Sequence, residues 1–256
     1  MLLAIDVGNT ETVLGLFREE ELAWHWRIST VLNRTADELA VLLAGFLAQQ
    51  SLSFEREVTG VAICSGVPSL TEELRRMVER YFQFPPLIVE PGIKTGISVL
   101  TDNPREVGAD RIVNALAAHT RFGGPCIVVD FGTATTYDAV SDKCEYLGGA
   151  IAPGMRISEE SLTSHAARLP DVEIASPKSV IGKNTVEAMQ SGLLWGTVAE
   201  LEGMVDRMEA ELGGEVTVVA TGGLAEDVVP YTDCIDHYEP WLTLEGLRLI
   251  FERNVA

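Results

Sequence analysis

The chain has 256 residues, 46% of them apolar, which is enough for one large domain or two ordinary ones with packed cores. Acidic residues number 38 against 19 basic ones, a formal charge of −19, so charge-driven binding to nucleic acid or anionic lipid is not expected. The opening residues are too few for a signal-peptide core, and no apolar stretch approaches the roughly 20 residues that span a bilayer, so the expectation is a cytoplasmic protein with no membrane partner. Cys64, Cys126, Cys144 and Cys234 are scattered without a C-x-x-C pair and read as buried free thiols. His25, His119, His165 and His237 show no metal-ligand spacing.

From residue 2 to about 28, "LLAIDV", "TVLGLF" and "LAWHWRI" alternate apolar and polar residues and predict three short antiparallel strands. Helices should follow from two capping boxes, Thr35 to Glu38 and Ser69 to Glu72. The runs "VTGVAICS" (58–65) and "PLIVE" (86–90) suit buried strands, and "RIVNALAAHTRF" (111–122) suits a helix. After Gly123-Gly124-Pro125 the order begins again. Three strands ("CIVVDF", "ATTYDAV", "CEYLGGAIA") precede a helix near Met155, a long helix over about 185–211, a buried strand over 215–223 and a last helix over 243–253. Two halves with one layout predict a duplicated α/β domain with its boundary near 120–125.

The halves share a phrase. "AIDVGNTET" and "VVDFGTATT" each end an apolar run in an aspartate, then an apolar residue, a glycine and hydroxyl-bearing side chains. A strand that feeds Asp-x-Gly puts a carboxylate at a sheet end, where glycine permits close approach of main-chain N–H groups to phosphate oxygens. Asp6 could then hold Mg²⁺, chiefly through water. The competing reading of a single copy is a hairpin turn with a capping aspartate. Two copies at equivalent places favour a shared ligand. The Walker-type loop, G-x-G-x-x-G, H-E-x-x-H and G-x-S-x-G are missing from the sequence. With "VATGGLAE" (219–226) as a third element in the same order, the chain resembles the acetate and sugar kinase, heat-shock ATPase and actin superfamily. That resemblance implies an α/β fold of two similar actin-like (ribonuclease H-like) domains, 1–122 and 123–256. Each would be a mixed sheet with helices, and the two would face each other across a nucleotide cleft.

Between the two loops, "DNPREVGADRIVNALAAH" (102–119) carries Gly108, Ala109, Asp110 and Arg111 at a helix start. Asp110 could cap that helix or act as a catalyst, and Arg111 could grip an anion or be an ordinary surface charge. "DVGNT", "DNPREVGADRIVNA", "DFGTATT", "GGAIAPG", "IGKNTVEAMQSG" and "TGGLAE" together are similar to type III pantothenate kinases, from residue 6 to 226. The resemblance implies transfer of the γ-phosphoryl of ATP to the 4′-hydroxyl of pantothenate, with Mg²⁺ and a monovalent cation, K⁺ or NH₄⁺, in a homodimer. It assigns Asp110 as the base. It assigns ATP contacts to Asp6, Val7, Gly8, Asn9, Thr10, Glu11, Thr12, Val13 and Thr133, and the monovalent cation to Asp130. The pantothenate pocket would comprise Thr101, Gly108, Ala109, Asp110, Arg111 and Thr185.

Alternatives stay open for three of these positions: Asp130 could be a strand-end cap, Asn184 with Glu187 could cap the long helix beside Thr185, and Thr101 stands where the family commonly has tyrosine. Two other functions compete, another small-molecule kinase of the superfamily or a non-enzymatic nucleotide-binding regulator. The presence of Asp6, Asp110, Arg111 and Asp130 argues against the regulator.

Overall fold

The alternating pattern at the start folds as β1 (Leu2–Val7), β2 (Glu11–Arg18) and β3 (Glu21–Ser29), antiparallel in sequence order. Helix α1 (Ala36–Gln49) follows behind the expected capping box, with the Thr35 side chain accepting from the Glu38 N–H and the Glu38 carboxylate accepting from the Thr35 N–H. A short α2 (Phe54–Glu57), β4 (Gly60–Ser65), α3 (Pro68–Tyr81) and β5 (Leu87–Ile88) complete this stretch. The Ser69 to Glu72 box does not form. Helix α3 starts earlier, with Pro68 in its first turn after Val67, where a fixed φ suits the helix and the missing N–H needs no cap. Next come β6 (Ser98–Val99) and α4 (Ala109–Phe122). The second half supplies β7 (Cys126–Phe131), β8 (Ala134–Val140), β9 (Glu145–Pro153), α5 (Met155–His165), α6 (Thr185–Leu212), β10 (Thr217–Thr221), α7 (Ala225–Val228), β11 (His237–Tyr238) and α8 (Leu242–Val255). This is a computed structural model, and it describes residues 1–166 and 168–255.

Two compact units emerge. The first holds Met1–Ile97, Asn103–Ala117 and the chain from Thr243 on; the second holds Ser98–Asp102 and Ala118–Leu242. This differs from the cut at 122/123 in the sequence reading: the last helix, read with the second half, packs in the first unit, and β6 joins the sheet of the second. The reason lies in packing that local periodicity does not encode. Leu244 of α8 fills the space over Gly15 of β2, and Phe251 fills the space over Gly60 of β4.

The first unit is a five-stranded sheet in the order β3-β2-β1-β4-β5, with β1, β4 and β5 parallel. Leu39, Leu43 and Leu47 of α1 and Leu70, Leu74 and Met77 of α3 bury against Leu3 and Ile5 of β1 in one core. The second unit is a six-stranded sheet in the order β11-β10-β7-β8-β9-β6. Its core joins Ile127, Val129 and Tyr137 to Leu194, Val198, Leu201 and Val205 of α6. These are mixed sheets with helices, as expected. Among the described residues no helix is long and apolar enough to cross a membrane.

The cysteines are free, but only Cys64 and Cys126 are buried, while Cys144 and Cys234 are half-buried. Burial, and to a lesser degree Cys144, pushes the Cys126 thiol up to about 12 from an ordinary 9.0. A raised folded-state value means that this contribution to stability is intact below pH 9 and is lost as pH rises from there toward 12, because the unfolded chain ionises first. In urea titrations above pH 9, stability is therefore expected to fall with pH less steeply for Cys126→Ala than for the unsubstituted protein. Equal slopes would refute this origin.

Candidate active site

In the first unit, β1 delivers Asp6 to the sheet end, and the chain reverses through Gly8, Asn9 and Thr10 into β2. The turn is pinned from behind. Gly8 N–H donates to the Glu11 carbonyl at 2.9 Å, the Thr30 hydroxyl donates to the Gly8 carbonyl at 2.7 Å, and the Thr12 and Thr30 hydroxyls bond at 2.9 Å. Val7 and Thr12 are buried, so they shape the loop, whereas Asn9 and Thr10 are exposed on it. Glu11 pairs with Arg27 at 2.7 Å across the strands, and Val13 is half-buried opposite Asp6.

The parallel register sets Asp6 beside Cys64 at the end of β4. Burial pushes the Cys64 thiol well above its ordinary range, and the negative charges of Asp6 and then Asp110 push it further. Two carboxylates distant in sequence therefore act on one buried neutral thiol. Cys64 was read from sequence only as a buried thiol; its position at the end of an apolar run, like that of Asp6, was the available signal.

Asp110 is the second residue of α4 and is exposed, with Oδ1 accepting from the Arg111 N–H at 2.9 Å. It is the second helical residue, not the N-cap, and its bond to the Arg111 N–H satisfies one of the orphan first-turn donors, as the helix-start reading of Asp110 expects. Gly108 leaves the space that Asp110 Oδ1 occupies: a Cβ there would overlap that oxygen, and the exposed Asp110 side chain would have to turn aside. Ala109 and Arg111 are half-buried on either side of the carboxylate.

In the second unit, β7 ends at Asp130 and Phe131, and Gly132 and Thr133 turn the chain into β8, with Gly132 N–H bonded to the Ala134 carbonyl at 3.1 Å. Asp130 faces Thr221 of β10 in parallel register. Beyond Thr221, Gly222 (φ 95°) leaves room for the Asp130 carboxylate: a Cβ there would overlap Oδ1 and lie 2.6 Å from both the Phe131 N and O. Gly154 does the same for the loop, since its Cβ would fall 2.5 Å from the Thr133 carbonyl oxygen. Gly222 and Gly132 thus leave space beside the Asp130 carboxylate, a hard oxygen donor of the kind a monovalent cation accepts. The sequence reading chose Asp130 but not Gly222 and Gly154.

Thr101 follows β6. Its methyl faces Gly148, and among the described residues its hydroxyl is buried without a hydrogen-bond partner. Thr185 is exposed as the first residue of α6, and the capping work there is done by Asn184, whose side chain accepts from the Glu187 N–H at 2.9 Å. The Thr185 hydroxyl is therefore not the cap.

A type III pantothenate kinase family model matches residues 2–207. The chain is 57% identical over 263 residues to a type III pantothenate kinase of Streptomyces coelicolor, covering 100% of this chain and 99% of that one. Among solved structures it is similar to a Campylobacter jejuni protein described as a conserved Baf family transcriptional activator (TM-score 0.62, 19% identity, 98% of each chain). It is also similar to an inorganic polyphosphate/ATP-glucomannokinase of Arthrobacter sp. strain KM (TM-score 0.51, 14% identity, 98% of each chain). At those identities the two structures speak for the fold alone. The family match and the full-length identity speak for more: this chain belongs to the type III pantothenate kinase family.

Proposed function

We propose that this protein is an ATP-dependent pantothenate kinase that transfers the γ-phosphoryl group to the 4′-hydroxyl of pantothenate, giving 4′-phosphopantothenate and ADP, the first step toward coenzyme A. The observation that carries the proposal is full-length identity of 57% to a protein of that name. It is supported by the register that sets Asp6 beside Cys64, a thiol whose pKa is raised first by burial and then by the charges of Asp6 and Asp110.

In this reading Asp110 accepts the proton of the 4′-hydroxyl as the new O–P bond forms and the bond to the β-phosphate oxygen breaks. Little covalent chemistry is asked of the protein in phosphoryl transfer, so holding the hydroxyl in line is its main contribution. The turn at Gly8, Asn9 and Thr10 and the hydroxyl of Thr133 bind the phosphates; Arg111, Ala109, Gly108, Thr101 and Thr185 hold pantothenate. Asp6 would hold Mg²⁺ through water, consistent with an ion that keeps several waters and takes few carboxylates. Asp130, with Gly132 and Gly222 beside its carboxylate, would hold K⁺ or NH₄⁺. Both ions would supply positive charge near the transferring phosphoryl group. A homodimer, which the family resemblance implies, completes the reading.

The test is ADP release with pantothenate as acceptor, in K⁺ and in Na⁺. Turnover that depends on pantothenate and falls strongly in Na⁺ is expected, and Asp130→Ala should erase the difference between the two ions. Absence of pantothenate-dependent ADP release would overturn the function. An unchanged K⁺ dependence in Asp130→Ala would move the cation elsewhere.

A further inference from the structure

The mechanism leaves unused a buried polar link between α4 and the last helix. Asn114 lies one helical turn after Asp110, so the two share a side of α4. It is 1% exposed, between the fully buried Val113 and Ala115, where an unsatisfied amide would be costly. The Thr243 hydroxyl, from the first turn of α8, donates to Asn114 Oδ1 at 2.7 Å. Three residues on, Gly246 lets the helices meet at their main chains: a Cβ there would overlap the Val113 carbonyl oxygen and lie 2.6 Å from Val113 Cγ1.

The same α8 grips the sheet that carries Asp6. Leu244 packs over Gly15 of β2, the strand after the first Asp-Gly turn, and Phe251 packs over Gly60 of β4, the strand that ends beside Cys64. Asn254 ties down the segment after β5 by donating to the Lys94 carbonyl at 3.0 Å. One helix thus holds α4 with one end and the Asp6 sheet along its length. All of it lies beyond residue 207, outside the stretch matched by the family model.

We infer that Asn114 and Thr243 are positioning residues for Asp110: their hydrogen bond locks α4 to α8 and so fixes the distance between Asp110 and the Asp6 loop. The inference rests on the reading of Asp110 as the base. In-line transfer depends on that distance, and misplacement by about 1 Å can cost about a hundredfold in rate.

Thr243→Val keeps the shape and removes only the hydroxyl. We expect kcat to fall about 10- to 100-fold with KM for ATP unchanged, and Thr243→Ser to restore it. The distinguishing measurement is the same substitution in an Asp110→Asn background, where there is no base left to position and the residual rate should not fall further. Should Thr243→Val fail to fold, Thr243→Ala, which removes the hydroxyl at this half-buried position without adding bulk, is expected to show the same dependence on Asp110. An unchanged kcat in Thr243→Val, or an equal loss in both backgrounds, would overturn the positioning role. Failure of the underlying reading would look different, as Asp110→Asn turning over at the unsubstituted rate.

Discussion

Asp110→Asn is expected to lower kcat for pantothenate phosphorylation roughly a hundred- to ten-thousand-fold, the range in which a positioned proton acceptor contributes. The substitution is nearly isosteric. Asn keeps an oxygen that can accept from the Arg111 N–H, as Oδ1 does at 2.9 Å, and the site is exposed, so stability should change by no more than about 0.5 kcal/mol. A loss of turnover with an intact melting transition therefore isolates the chemistry. ATP binding, which in our reading is served by the Gly8 to Thr10 turn, should be retained, and calorimetric titration with a non-hydrolysable analogue would show it. Turnover within a few-fold of the unsubstituted protein would remove Asp110 from the base role and return it to a helix-start residue whose charge merely suits the dipole.

Gly222→Ala should be strongly damaging to the second unit. The residue sits at φ 95°, where an L side chain is strained, and its Cβ would lie 2.6 Å from the main-chain N and O of Phe131 as well as overlapping the Asp130 carboxylate. A flexible side chain could move aside, but the Phe131 backbone belongs to β7 and is held in the ladders with β8 and β10. A left-handed penalty of about 1–2 kcal/mol and an overpacking penalty of about 1–3 kcal/mol together give an expected destabilisation of about 2–5 kcal/mol. Gly213→Ala is the control: that glycine, at the end of α6, also has positive φ (69°) but nothing within 4 Å of its Cβ position, so only the conformational part should appear. Equal denaturant midpoints for the two variants would refute the clash. Any folded Gly222→Ala protein should also have lost K⁺ activation, because the displaced carboxylate is the one assigned to the cation.

Much of this was readable in the sequence because it is local. The period-2 runs of β1 to β3 and β7 to β9, the Thr35 and Glu38 box and the Asn184 start of α6 all depend on neighbours a few residues apart. The two Asp-Gly loops were legible for the same reason, each being the end of a run followed by turn residues. Local reading also misled: Ser69 and Glu72 have the spacing of a capping box, yet Pro68 starts α3 before it. Strands β6 and β11 are two residues each, too short for any period, and exist because β9 and β10 offer them open edges.

The duplicated α/β layout, the pair of aspartates at strand ends and the motif order that points to the family are legible from residue types at short spacing along the chain. Folding in three dimensions is what places α8 in the first unit, sets Asp6 beside Cys64, has Gly222 leave room for Asp130 and brings Thr243 to Asn114 across 129 residues of chain. Contacts of that range follow from which surfaces pack to bury apolar area and which buried polar groups must then find partners. Periodicity along the chain carries no record of either.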